Sequence, residues 1–110
     1  SYYLLGDAYA GLGQYLEAIE NYQEAIKRKP DLSKPHNNLG LAYAALGQLT
    51  DAVAEFNQAV QLKHDYAEAQ YNLGVAYVQL GKKNRAREQQ RILVKLNPVL
   101  ASALDGLIKR

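Results

Sequence analysis

At 110 residues, with 48% hydrophobic and 22% charged side chains, the chain has the composition of one globular domain and not of a disordered segment. The absence of cysteine excludes disulfides, thiolate chemistry and Cys-ligated zinc, and no apolar run approaches the roughly 20 residues of a membrane span. The net charge of +2 does not imply nucleic acid, but it is unevenly spread: residues 82–110 hold eight basic and two acidic side chains, a net of +6, leaving −4 for the remainder.

Abundant alanine and leucine and only three prolines favour helix. The first predicted helix spans 2–12, carries Leu5-Gly6 and Tyr9, and is closed by Gly13. The second, 15–29, carries Ala18, Tyr22 and Ala25 and stops at Pro30. The third, 34–46, repeats the first at a step of 34 residues, with Leu39-Gly40, Tyr43 and then Gly47. The fourth, 49–62, repeats the second with Ala52, Phe56 and Ala59, and His64 follows in the proline slot. The fifth, 67–80, brings Leu73-Gly74, Tyr77 and Gly81, and Asp65 followed by Glu68 has the spacing of a capping box that would open it. The sixth, 83–96, keeps Ala86 but has Gln90 for the aromatic and Leu93 for the small residue, ahead of Pro98. A seventh, at about 100–109, shows one apolar stripe of Leu100, Leu104, Leu107 and Ile108. No alternation of period two appears, so the fold class is all-α.

Each recurring residue has a physical role. Glycine within a helix costs about 1 kcal/mol against alanine, so Gly6, Gly40 and Gly74 are sensible where another helix must come close. Ala18, Ala52 and Ala86 are expected to supply the matching small residue on the second helix of each pair. Gly13, Gly47 and Gly81 suit a left-handed position just past a helix end. Tyr9, Tyr43, Tyr77, Tyr22 and Phe56 are expected to fill the space between helices, and Pro30 and Pro98 to stop the second helix of their units.

These residues resemble the tetratricopeptide repeat family, whose pattern places Leu-Gly, Tyr, Ala, an aromatic, Ala and Pro at these offsets. The resemblance covers essentially the whole chain. It implies an α-solenoid, a right-handed superhelix of antiparallel helix pairs with about seven helices. The single domain, 1–110, divides into repeats at about 1–32, 33–66 and 67–100 and a capping helix at 100–110. First helices would line a concave groove and second helices lie outside. Ile108 stands where a further unit would have glycine, as expected of a cap that seals the array. The first unit lacks its opening two residues and begins at Ser1, so the domain is expected to be the C-terminal fragment of a longer protein.

Little in the sequence can carry chemistry. His36 and His64 have no histidine or cysteine at ligand spacing and read as packing or turn residues. Ser1, Ser33 and Ser102 lie in no nucleophile-elbow context, and every glycine except Gly11 and Gly106 belongs to the repeat, leaving no phosphate-binding loop. The expectation is a non-enzyme with no catalytic residue, metal or cofactor.

The resemblance implies concave positions at Tyr3, Asp7 and Ala10, at Lys34, Asn37, Asn38, Leu41 and Ala45, at Glu68, Tyr71, Asn72, Val75 and Gln79, and at Asp105 and Lys109 of the cap. The candidate peptide-binding residues are Tyr3, Asp7, Asn37, Asn38, Leu41, Tyr71, Asn72, Val75 and Gln79. Asn38 and Asn72 share one repeat position, where an amide with both donor and acceptor would hold a peptide backbone; alternatively, asparagine simply suits a polar helix surface. Leu4 breaks that series in the first unit. Members that bind chaperone tails hold a C-terminal carboxylate with Lys, Asn, Asn, Lys and Arg. The matching residues here are Tyr3, Asp7, Asn38, Glu68 and Asn72, of which only Asn38 agrees, so no carboxylate clamp is expected.

The leading expectation is a protein-interaction scaffold that takes an extended peptide or a partner helix in the groove. Two alternatives come from charge. Lys83, Arg87, Arg91 and Lys95 form one stripe on the third outer helix, a solvated face or a site for an anionic partner, with nucleic acid not favoured. Glu17, Glu20 and Glu24 form an acidic stripe on the first outer helix, so a homo-oligomer stacked end to end is the other alternative.

Overall fold

In the computed structural model, which describes residues 1–110, the chain forms seven α-helices and no strand: α1 (Tyr2–Gly11), α2 (Tyr15–Arg28), α3 (Ser33–Ala45), α4 (Leu49–Leu62), α5 (Ala67–Gln79), α6 (Lys83–Leu96) and α7 (Pro98–Lys109). The architecture is the expected all-α solenoid, three helix pairs closed by one further helix. No helix is long and apolar enough to cross a membrane.

Each first helix ends in the same way. Gly13, Gly47 and Gly81 have φ of 76°, 78° and 76°, a region that side chains disfavour. The amide of the following residue then reaches back to the carbonyl of Tyr9, Tyr43 or Tyr77, at 2.9, 2.9 and 2.8 Å. This six-to-one bond turns the chain into the second helix of the pair.

The start of α7 and the cap of α5 differ from expectation. α7 begins at Pro98, because Asn97 both ends α6 and caps α7, its side chain accepting from the Leu100 amide at 3.1 Å. Proline at the first helical position needs no amide proton, so Pro98 starts a helix as well as stopping one. The capping box at Asp65 and Glu68 does not form. A turn bond from the Tyr66 amide to the Lys63 carbonyl, 3.1 Å, carries the start one residue further, and Tyr66 is the N-cap without a side-chain bond. Glu68 remains in the first turn, where its charge suits the helix dipole.

The mid-helix glycines do accept close neighbours, but these are not the alanines. A Cβ on Gly6 would lie 2.5 Å from the ring of Tyr22, and one on Gly40 2.6 Å from the ring of Phe56. On Gly74 it would overlap Leu104 of α7. Ala18, Ala52 and Ala86 are fully buried in the helix packing instead. The bulk that Gln90 does not provide in the third unit is thus returned by the capping helix.

A polar ladder also follows the 34-residue step. Nε2 of His36 faces the Pro30 carbonyl at 3.1 Å and its Nδ1 faces Glu55 Oε1 at 2.8 Å. One repeat on, Gln70 donates to the His64 carbonyl at 2.9 Å and accepts from Gln89. Both residues are buried, and each ties a first helix to the preceding inter-repeat turn and to its own second helix.

Along the array α1 touches α3, α3 touches α5 and α5 touches α7, whereas α2, α4 and α6 do not touch one another. The tighter inner row curves the solenoid so that first helices line the concave side. The core falls into two clusters. Ala18, Ile19, Tyr22, Leu39 and Ala42 join the first two units, while ten residues from Ala52 to Ile108 form a larger C-terminal core, to which α7 adds Ala101, Leu104 and Ile108.

Candidate peptide-binding groove

The floor of the concave side is one chain of hydrogen bonds. The Tyr22 hydroxyl donates to Asp7 Oδ1, and Asn38 Nδ2 donates to the same oxygen at 3.0 Å and to the Tyr3 hydroxyl at 3.2 Å. Asn37 donates to Asn38 Oδ1 at 3.2 Å, and Asn72 donates to Asn37 Oδ1 at 3.0 Å. The chain therefore crosses from α2 through α1 and α3 to α5.

Donor arithmetic separates the two register-equivalent asparagines. Asn38 spends both amide protons within the protein and its oxygen on Asn37. Asn72 spends one proton, keeping one donor and its oxygen for a ligand. Burial first, and then Asp7, hold the Tyr22 phenol well above its ordinary value of 10.0. Burial and the Asp7 charge raise Tyr3 as well, against the Asn38 hydrogen bond, and burial with nearby Tyr3 and Glu68 raises Tyr66. These three phenols are neutral at physiological pH.

Leu41, 45% exposed, stands between two hollows. One of about 490 Å³ lies between α1 and α3, with Asp7, Asn38, Tyr15 and Tyr22 around a floor of Ala10, Ala42 and Ala45. The other, about 510 Å³, lies between α3 and α5, where Tyr66, Tyr71, Asn72 and Leu100 are flanked by Lys34 and Glu68. A larger hollow of about 740 Å³ opens at the N-terminal edge beside Tyr2, Arg28 and Leu32.

Seven of the nine candidate residues come together here: Tyr3, Asp7, Asn37, Asn38, Leu41, Tyr71 and Asn72. Asn37 is only 4% exposed and serves mainly to link its neighbours. Val75 instead packs against the C-terminal core, and Gln79 stands exposed at the last residue of α5. Sequence reasoning missed Tyr15, Tyr22, Tyr66 and Leu100 as lining residues. Tyr15 and Tyr22 belong to a second helix, which the repeat assigns to the outside, so no positional signal marked them. Asp105 is likewise not free in the groove: its Oδ1 takes Arg87 Nη1 of α6 at 2.6 Å and its Oδ2 takes Lys109 Nζ at 3.0 Å. The Arg87 and Lys109 hydrogen bonds hold this carboxyl below its ordinary value. The same pair removes Arg87 from the free basic stripe of α6.

Family models described as TPR repeat match residues 6–47 and 42–81, and a tetratricopeptide repeat model matches 67–99. The chain belongs to the tetratricopeptide repeat family. TPR domains are protein-binding modules, and solved structures similar to this one are of that kind. The second TPR domain of human RPAP3, in complex with the HSP70 peptide SGPTIEEVD, is 27% identical with a TM-score of 0.90, over 96% of this chain and 89% of that one. The first TPR of Spaghetti (RPAP3), bound to the HSP90 peptide SRMEEVD, is 26% identical with a TM-score of 0.92, over 98% and 88%. The Arabidopsis OM64 TPR domain shares the fold at 22% identity and a TM-score of 0.91, over 98% and 91%. No curated protein matches the chain.

Proposed function

We propose that this TPR domain is a non-catalytic interaction module that binds an extended peptide along its concave groove. The observation that carries the reading is the pair of hollows on either side of Leu41, an exposed apolar ridge with a hydrogen-bonding floor. Burial of apolar ligand side chains against Leu41, Tyr71 and Leu100 supplies affinity, and Asn72 holds backbone through its open donor and acceptor. The similar RPAP3 domains hold chaperone peptides, which supports a peptide as the ligand class. Those peptides end in acidic residues, EEVD. Asp7 and Glu68 at this groove disfavour such a tail. The test is a peptide-array screen followed by fluorescence anisotropy on the hits: Leu41→Arg and Asn72→Ala should each weaken binding, and hits indifferent to both refute a groove site.

A second reading, stacking end to end, is supported by one register comparison. Leu39 and Leu73 are 2% and 1% exposed because a preceding unit covers them, whereas Leu5, at the same repeat position, is 46% exposed. Sedimentation across a concentration series tests it. Self-association lost in Leu5→Lys supports stacking through this face, and a strict monomer at high concentration removes it.

A further inference from the structure

The hollow between α1 and α3 carries a charge that the protein does not balance. Asp7 makes none of the ion pairs in the chain, which join His36 to Glu55, Arg87 to Asp105 and Lys109 to Asp105. Its two donors, the Tyr22 hydroxyl and the Asn38 amide, are both neutral, and both address Oδ1. They therefore orient the carboxylate without neutralising it, and Oδ2 receives no hydrogen bond from the protein. Around the carboxylate the hollow is walled by half-buried Tyr15 and exposed Leu41 over the alanine floor, while Tyr22 is 1% exposed, its ring packed against Gly6. An apolar wall of Tyr15, Leu41 and alanine beside an oriented carboxylate suits a long side chain with an apolar stem and a cationic head.

We infer that this hollow is a subsite for a basic side chain, so that the ligand is a peptide with lysine or arginine seated on Asp7. The inference rests on the groove reading above and extends it to ligand class. The α1–α3 hollow selects for charge through Asp7, and the α3–α5 hollow takes the adjoining apolar residue against Tyr71 and Leu100. The positions equivalent to Asp7 in the next two units are Leu41 and Val75, so the oriented carboxylate has no counterpart in the α3–α5 hollow, whose flanking Lys34 and Glu68 carry opposite signs.

The experiment uses short Leu/Ala/Ser peptides that differ only at one central residue, arginine, citrulline or glutamate, titrated by fluorescence anisotropy into the wild-type chain, Asp7→Asn and Leu41→Arg. Citrulline keeps the shape of arginine without its charge, and Asp7→Asn keeps an oxygen to accept from Tyr22 and Asn38. The wild type should bind the arginine peptide about tenfold more tightly than the citrulline one, and the glutamate peptide most weakly. Asp7→Asn should abolish the arginine preference while leaving citrulline affinity within about twofold. Equal wild-type affinity for arginine and citrulline overturns the subsite, as does an arginine preference that survives in Asp7→Asn. Leu41→Arg separates the two levels. If it abolishes binding of peptides that ignore Asp7→Asn, the groove stands and the subsite falls; if binding persists in Leu41→Arg, or no peptide binds the wild type, the groove reading itself falls.

Discussion

Leu104 of α7 lies against Gly74 in the place that the rings of Tyr22 and Phe56 take against Gly6 and Gly40. The capping helix is therefore part of the third unit's core and not an appendage, and Leu104 itself is fully buried. Leu104→Ala is expected to cost about 2–5 kcal/mol, read from urea unfolding. Gly74→Ala forces a clash with Leu104, and the double substitution should lose less than the sum of the two because the shorter side chain admits the new methyl. Strict additivity would mean that the two do not meet.

The polar ladder makes a directional prediction about exchange between repeats. His36→Gln copies the residue found at Gln70, but it leaves Glu55 facing an amide where Gln70 faces Gln89. The single substitution should destabilise, and His36→Gln with Glu55→Gln should recover part of the loss, with a coupling of about 0.5–3 kcal/mol in a double-mutant cycle. A coupling of zero would show that the ladder positions act independently.

Alkaline pH should loosen the N-terminal half first. Tyr22 is raised in the folded state above its ordinary value of 10.0. The unfolded chain therefore releases this proton at lower pH than the folded one, and the stability it contributes is present below about pH 10 and lost as pH rises beyond it. Tyr22→Phe should flatten the decline of stability above pH 10 in denaturant titrations. An unchanged slope would contradict the raised Tyr22 phenol, to which burial contributes first and the Asp7 hydrogen bond second.

Acid should act at the other end. The Asp105 carboxyl lies below its ordinary value of 3.8 because of Arg87 and Lys109. The stability from this carboxylate is present above pH 4 and lost as pH falls through its lowered value. Asp105→Asn should lower thermal stability modestly at neutral pH and have a smaller effect at the acid end, and an equal effect at both ends would remove the ion pair as the cause. The pair is part-exposed, so added salt should also shrink the neutral-pH difference.

The 34-residue period made the helices, their order and the glycine turns legible, because each rests on contacts within a few residues. What escaped the sequence depends on partners far along the chain. Nothing near Gln90 says that Leu104 will fill its place, and nothing near Asp105 says that Arg87 will take it from the groove. The candidate groove was largely visible through repeat positions, but Asn38 and Asn72 look identical by register. They differ because Asp7, Tyr3 and Asn37 occupy the whole amide of Asn38, whereas Asn72 meets Asn37 alone. Pro98 was legible as a helix breaker, and its second role depended on Asn97 capping the helix that follows.

The central claim is that ligands lie on the concave side, and amide chemical-shift mapping tests it most directly. A peptide selected from the array, titrated into the isotopically labelled domain, should shift the resonances of Asp7, Leu41, Ala45, Tyr71 and Asn72 together and saturate at one site. Shifts confined to the outer helices α2, α4 and α6, with these five residues unmoved, would contradict it.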